Sequence, residues 1–360
     1  MWPATDTGCS GDAACCPRLS WNPTVKQFGH GTLLLNTLLL LGVVGLFGAS
    51  LMWGETSIMF SHALADLMAG RHTAGAIIVA QLRLPRTLLA IMVGGTLGLS
   101  GAVLQGYLRN PLADPGILGV SGGAALGAVC VFYTGLMQLS IAALPLGGLT
   151  GALCAAAVLM GVVGRGGTLV LLLAGAALSS FTAALTALVL NLVPSPYASF
   201  EIMHWLMGSL TDRTFTHVWI CLPGVVCGTL FMLSCARALD ALALGTDVAE
   251  SLGFRLHAPW GIQTRVVLGA ALAVGACVAV SGAIGFVGLV VPHLLRPLTG
   301  HQPSRLLVPS FLGGGLLLLA ADMVVRLVAS GPELQLGVLT ALVGAPVFFA
   351  RVIILKRSSP

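Results

Sequence analysis

No charged residue falls between positions 171 and 192, and apolar stretches of that length recur from one end of the chain to the other. About 20 helical residues cross the hydrocarbon core of a bilayer. The supply of polar side chains points the same way. Of 360 residues, 57% are hydrophobic and 8% charged, and mean hydropathy is +0.98. A soluble domain carries roughly 25% charged residues, enough to cover its surface. This chain has too few, so it reads as an all-α polytopic membrane protein.

Ten spans are expected, at about 31–53, 86–107, 117–135, 141–163, 168–192, 216–236, 262–283, 285–298, 306–327 and 336–355. The eighth is short and interrupted by Pro292. With the N-terminus inside, inner loops and ends hold twelve of the lysines and arginines and the outer side holds five (Arg71, Arg83, Arg86, Arg213, Arg326). The positive-inside rule therefore puts both termini in the cytosol. The net charge of +5 follows from those loop charges and needs no nucleic acid to explain it. Residues 1–30 are polar, carry Pro3, Pro17 and Pro23, and read as a disordered cytosolic tail with no cleavable signal peptide. Residues 356–360 form a short cytosolic tail. The nine cysteines are scattered without zinc-site spacing and read as reduced bystanders.

Small residues supply the packing. Gly94 and Gly98 make one small-xxx-small face, and Gly119, Gly123 and Gly127 make a longer one; such faces let helices approach closely in lipid. Leu99-Ser100-Gly101-Ala102 and Val280-Ser281-Gly282-Ala283 suggest a weak inverted repeat.

The polar residues exclude several functions. Gradient-driven transporters keep charges in mid-membrane, because a buried charge is costly and retained for function. Asp322 is the one acid within a span here, and Arg326 one turn on reads as its i,i+4 partner. There is no GxxxxGK[ST] loop for ATP, no HExxH, and no cluster of His, Cys, Asp or Glu for a membrane enzyme. A gradient-driven transporter remains the rival class.

Three motifs stand out. RLPR at 83–86 precedes the second span. RNPLADPG at 109–116 makes the turn after it; Pro111 and Pro115 stop a helix there, and Asp114 can cap the next one. GFVGLVVPHLLRPLTG at 285–300 is a bend followed by a Pro-broken span. A charged stretch, LDALALGTDVAESLGF at 239–254, interrupts the apolar sequence between the sixth and seventh spans.

Together, RLPRTLLAIMVGGTLGLSGAVLQGYLRNPLADPGILGVSGGAALGA at 83–128, the 281–300 segment, AADMVVR at 320–326 and ELQLGVLTALVGAPVFFARV at 333–352 closely resemble permeases of the FecCD type. These are membrane subunits of binding-protein-dependent ABC importers for iron-siderophores, heme and cobalamin. The resemblance covers about 31–355 and implies a type II importer fold: a homodimer of ten-helix subunits in the bacterial inner membrane, surrounded by lipid. It implies two ABC ATPase subunits inside, holding the ATP and Mg, and a periplasmic substrate-binding protein outside. This subunit would have no catalytic residue, no resident cofactor or metal, and no nucleic-acid partner.

Site residues follow from the same resemblance. Arg83, Arg86 and Arg326 would meet carboxylates of the binding protein. The 239–257 segment would form two short coupling helices against the ATPase, through Leu239, Asp240, Leu244, Gly245, Asp247, Glu250, Leu252, Gly253 and Arg255. Gly245 and Gly253 would end those helices. The fifth span would line the path with Ser179, Ser180, Thr182, Thr186 and Asn191, and Gly164, Arg165 and Thr168 would form the cytosolic gate. Heme is the expected cargo, ahead of a ferric siderophore and then cobalamin. His62, His72, His204 and His217 could touch its iron in passing. Gln335 departs from the family, which usually has Pro there.

Overall fold

The computed structural model describes residues 24–54, 60–164, 166–328 and 334–358, with side-chain surroundings between 31 and 349. Among these residues helices carry the whole fold. They are α1 (Thr24–Met52), α2 (Phe60–Met68), α3 (Ala74–Ile77), α4 (Leu84–Tyr107), α5 (Val120–Thr134), α6 (Ala143–Val163), α7 (Thr168–Leu192) and α8 (Pro196–Leu206). Then come α9 (Phe215–Leu233), α10 (Ala236–Ala243), α11 (Thr246–Ser251), α12 (Ile262–Ser281), α13 (Val287–Leu295), α14 (Pro303–Val328) and α15 (Leu336–Ser358).

A helix lies on each of the ten expected stretches. Seven are long and apolar enough to cross a membrane, while Val120–Thr134, Val287–Thr299 and Leu336–Phe349 are shorter. Residues 24–30, expected in the N-terminal tail, belong to α1, and 356–358 belong to α15. The rest of the tail, with Cys9, Cys15 and Cys16, lies outside the described residues.

The second stretch is longer than expected. A π-helical turn over Ile78–Arg83 joins α3 to α4, giving one run of 34 residues, Ala74–Tyr107. Pro85 sits in the first turn of α4, where a missing N–H costs little. The third is delayed by a short 3-10 turn, Pro115–Leu118, whose N-cap is Asp114; its Oδ1 accepts from Gly116 N at 2.8 Å. Burial raises the Asp114 carboxyl above its usual range, and that hydrogen bond opposes the shift. Gly119 at φ +75 then turns the chain into α5.

Helices α4 and α12 are buried along most of their length, and α1 along almost none. The antiparallel pair α4 and α14 is the tightest contact. A methyl on Gly94 would land on the Gly314 carbonyl, and one on Gly98 on the Ser310 carbonyl. Gly123 and Gly127 meet Gly151 and Gly147 of α6 in the same way. Of the expected small-residue faces, only Gly119 serves a turn instead. The proposed repeat has no local counterpart: Gly101 lies inside α4, whereas Gly282 ends α12 at φ +72.

Gly101 faces the backbone of Gly288 in α13, and a Cβ there would overlap its carbonyl. Gly101→Ala is expected to lower the melting temperature of the detergent-solubilised protein, at an overpacking cost of about 1–3 kcal/mol. Gly161, in α6, has nothing within 4 Å of such a methyl. Gly161→Ala in the same thermal scan should be neutral or slightly stabilising, since Ala is the better helix former by ~1 kcal/mol.

Candidate functional site

The polar residues collect at the two ends of the α4 and α14 pair. At one end Arg83 and Arg86, three apart, share a face of the helix that begins at the π turn. Arg83 donates through Nη1 to the carbonyls of Leu51 at 2.9 Å and Met52 at 3.1 Å. Arg326 donates to the Ser50 carbonyl at 3.2 Å. Two cations thus cap the C-terminal carbonyls of α1, where the helix dipole favours positive charge. Asp322 is fully buried and holds two arginines: its Oδ1 accepts from Arg86 Nε at 2.9 Å and its Oδ2 from Arg326 Nη2. The expected i,i+4 pair is present. Sequence reasoning missed Arg86 as the third member, because 236 residues separate it from Asp322.

A cavity of about 190 Å³ opens beside this cluster. Arg83, Arg86, Arg213 and Arg326 line it together with Gly54, Thr211 and Asp212. All three arginines expected to dock a partner meet here, so carboxylate recognition is chemically available. Their guanidiniums are already engaged, two of them with Asp322, and they do not stand out as isolated surface charges.

At the opposite end α10 and α11 form the two short helices expected between the sixth and seventh spans. Gly245 at φ +127 separates them and Gly253 at φ +86 follows the second, as the sequence predicts. Their residues divide by face. Leu239 is fully buried, within reach of Gly106 on α4. Asp240 accepts from Ser304 N at 2.8 Å and from Gln302 Nε2 at 2.9 Å, and so caps the start of α14. Helical periodicity thus turns both towards the bundle, Leu239 into its interior and the half-buried Asp240 onto the start of α14. Leu244, Asp247, Val248, Glu250, Leu252, Gly253 and Arg255 are exposed, and Gly245 is half-buried. Loss of the Asp240 cap is a direct prediction. Asp240→Ala should speed hydrogen exchange at the Ser304 amide by about fivefold or more, for a cap contributing ~1 kcal/mol. Asp240→Asn, which keeps an acceptor, should restore most of the protection.

Helix α7 presents one packed face and one open face. Ser179 Oγ donates to the Gly116 carbonyl at 2.8 Å, and Thr182 is buried against α5, so both face the protein. Thr186 is half-buried and bonds back to the Thr182 carbonyl at 2.8 Å. Ser180 and Asn191 are exposed beside Phe181, Leu188 and Leu192. Of the residues expected to form a gate, Gly164 is exposed at φ +51, Thr168 begins α7, and Arg165 lies outside the described residues.

The histidines are dispersed. His62 and His72 are exposed, His217 bonds the Thr214 backbone N at 3.2 Å in a capping box, and His204 Nε2 lies 2.7 Å from Gln335 Nε2. The residue that departs from the family is therefore buried and tied to α8. No group of three His, Cys, Asp or Glu capable of holding a metal occurs among the described residues.

The model of the FecCD transport family matches residues 39–356. The chain belongs to the FecCD transport family. A cobalamin import system permease protein of Halobacterium salinarum is 38% identical over 308 residues, covering 85% of this chain and 80% of that one. A vitamin B12 import system permease protein of Salmonella paratyphi A is 40% identical over 277 residues, covering 76% of this FecCD chain and 83% of the relative. Among solved structures, an inward-facing conformation of a metal-chelate type ABC transporter aligns with a TM-score of 0.76 at 31% identity, over 89% of this chain and 99% of the other. A chain from PsaBC of Streptococcus pneumoniae shares the fold alone, at TM-score 0.51 and 16% identity.

Proposed function

We propose that this FecCD chain is the membrane permease subunit of an ATP-driven importer, and that it passes a metal chelate of the cobalamin class into the cytosol by alternating access. One observation carries the mechanism. The antiparallel α4 and α14 pair bears the arginine cluster at one end, and Asp240 pins its other end to α10. A partner that pushes on either end acts on the same two-helix strut. The glycine contacts along it leave little room for the helices to slide independently.

In this reading the ten helices on the expected stretches all serve as spans, and both termini lie in the cytosol of a bacterial inner membrane. A loaded periplasmic binding protein docks on the arginine cavity. Two ATPase subunits, which hold ATP and Mg, meet the exposed residues of α10 and α11. Two copies of this chain enclose the path, with the open faces of α7 turned towards it. That face carries Ser180 and Asn191 and no charge, so a bulky ligand meets no strong trap. The chain itself performs no covalent chemistry.

Cobalamin stands ahead of heme and ferric siderophore because the cited relatives at 38% and 40% identity are cobalamin permeases by name. The heme expectation gains no support from them. The test is uptake into proteoliposomes holding this chain and its ATPase, with ATP inside and each cargo on its binding protein outside. Cobalamin should accumulate only with ATP and persist when ion gradients are collapsed. Accumulation of heme alone would overturn the cargo, and uptake that survives removal of the ATPase would overturn the importer reading.

A further inference from the structure

The arginine cavity contains one guanidinium that the family motifs do not supply. Arg213 sits in the loop between α8 and α9, and that loop is firmly held. Ser209 N donates to the Ser281 carbonyl at 2.8 Å, Gly337 N donates to the Gly208 carbonyl at 3.2 Å, and Thr211 N donates to Ser209 Oγ at 3.1 Å. The loop is thus stitched to the end of α12 and the start of α15. Asp212 takes a left-handed conformation at φ +57 and stays exposed, while Arg213 is half-buried. Thr211, Asp212 and Arg213 form the wall shared by the 190 Å³ arginine cavity and a neighbouring cavity of about 320 Å³ that reaches Glu201, His204 and Trp205.

Charge distinguishes Arg213 from its neighbours. Both oxygens of Asp322 are engaged, one with Arg86 and one with Arg326. Among the described residues Arg213 makes no ion pair, and its buried Nε has no hydrogen-bond partner. Burial lowers its pKa, and the adjacent Asp212 opposes the shift. Among the described residues the four arginines lining the cavity outnumber the carboxylates near it, Asp212 and Asp322. A carboxylate arriving from outside meets Arg86 and Arg326 already engaged by Asp322. It meets in Arg213 a guanidinium with no ion pair among the described residues, and a guanidinium can take both carboxylate oxygens at once.

We propose that Arg213 receives an acidic side chain of the docking binding protein and makes the first charge pair of the complex, ahead of the motif arginines. This rests on the docking reading given above and adds a residue and an order of events to it. A charge pair made at first encounter acts mainly on the rate of encounter and on its salt dependence.

The test uses the permease in nanodiscs with its ATPase, and the importer's own binding protein as the probe, cobalamin-loaded and empty. Association and dissociation rates are measured at low salt and at ~0.15 M salt. Arg213→Gln should weaken binding about tenfold, chiefly through a slower association with a shallower salt dependence. Arg213→Glu should weaken it further, and Arg213→Lys should recover part of the loss. Melting temperature should match the wild type, which separates this role from a purely structural one. Empty and loaded binding protein should lose equally, since the carboxylate belongs to the protein; a loss confined to the loaded form would assign it to the cargo and overturn the proposal. If the Arg213 variants bind like the wild type while Arg326→Gln weakens docking, the proposal fails and the docking reading stands. If no change at Arg83, Arg86, Arg213 or Arg326 alters binding, both fail.

Discussion

Asp322→Ala is expected to destabilise the protein by about 3–5 kcal/mol, the penalty for removing one partner of a buried ion pair. Asp322 is fully buried and serves two arginines from two directions. Without it, Arg86 and Arg326 face each other with no counter-charge among the described residues. Their repulsion acts on the contact of α4 with α14 and on the Arg326 cap at the end of α1. The change should appear as a large drop in melting temperature and a loss of monodispersity in detergent. Asp322→Asn retains hydrogen-bond capacity without the charge and should fall between. A double-mutant cycle with Arg326→Gln should show a coupling energy well above 0.5 kcal/mol. An Asp322→Ala protein as stable as the wild type would mean that the cluster is not a structural keystone.

The second large effect concerns function and leaves stability alone. Leu244, Val248 and Leu252 are 72%, 39% and 62% exposed on the two short helices, beside the acidic residues Asp247 and Glu250. Val248→Asp with Leu252→Asp should abolish stable association of the ATPase. Central apolar anchors of an interface contribute about 2 kcal/mol or more each. Since both side chains are already accessible, the permease should fold and melt as before. Stimulation of hydrolysis by the binding protein should fall by at least tenfold. Retained ATPase binding would direct the search for the contact to Trp260 and Arg255.

Much of this was legible in the sequence because lipid imposes a blunt requirement. Apolar length alone located the ten main helices, and glycines at 245 and 253 marked the ends of the short ones. The amphipathic helices α2 and α8 were not legible, since they are brief and lack a bilayer-length run. The π-helical entry into α4 leaves no pattern of its own. At the arginine cluster, an i,i+4 spacing revealed Asp322 with Arg326. Only the fold brings in Arg86, Ser50 and Arg213. Periodicity could not say which face of α7 would be open, so Ser179 and Thr182, which resemble Ser180 in sequence, turned out to be packed. Asp240 read as one of the residues that would meet the ATPase; its role as cap depends on Gln302 and Ser304, 62 and 64 residues further along the chain.

The most direct test of the account measures whether the two ends of the α4 and α14 strut communicate. Proteoliposomes holding this permease and its ATPase are given cobalamin-loaded binding protein on the outside, and ATP hydrolysis is recorded for the wild type and for Asp240→Ala. Loaded binding protein should stimulate the wild type, and Asp240→Ala should dock it normally yet lose most of the stimulation. Undiminished stimulation in Asp240→Ala would contradict the proposed route, and a wild-type ATPase that ignores the binding protein altogether would contradict the importer itself.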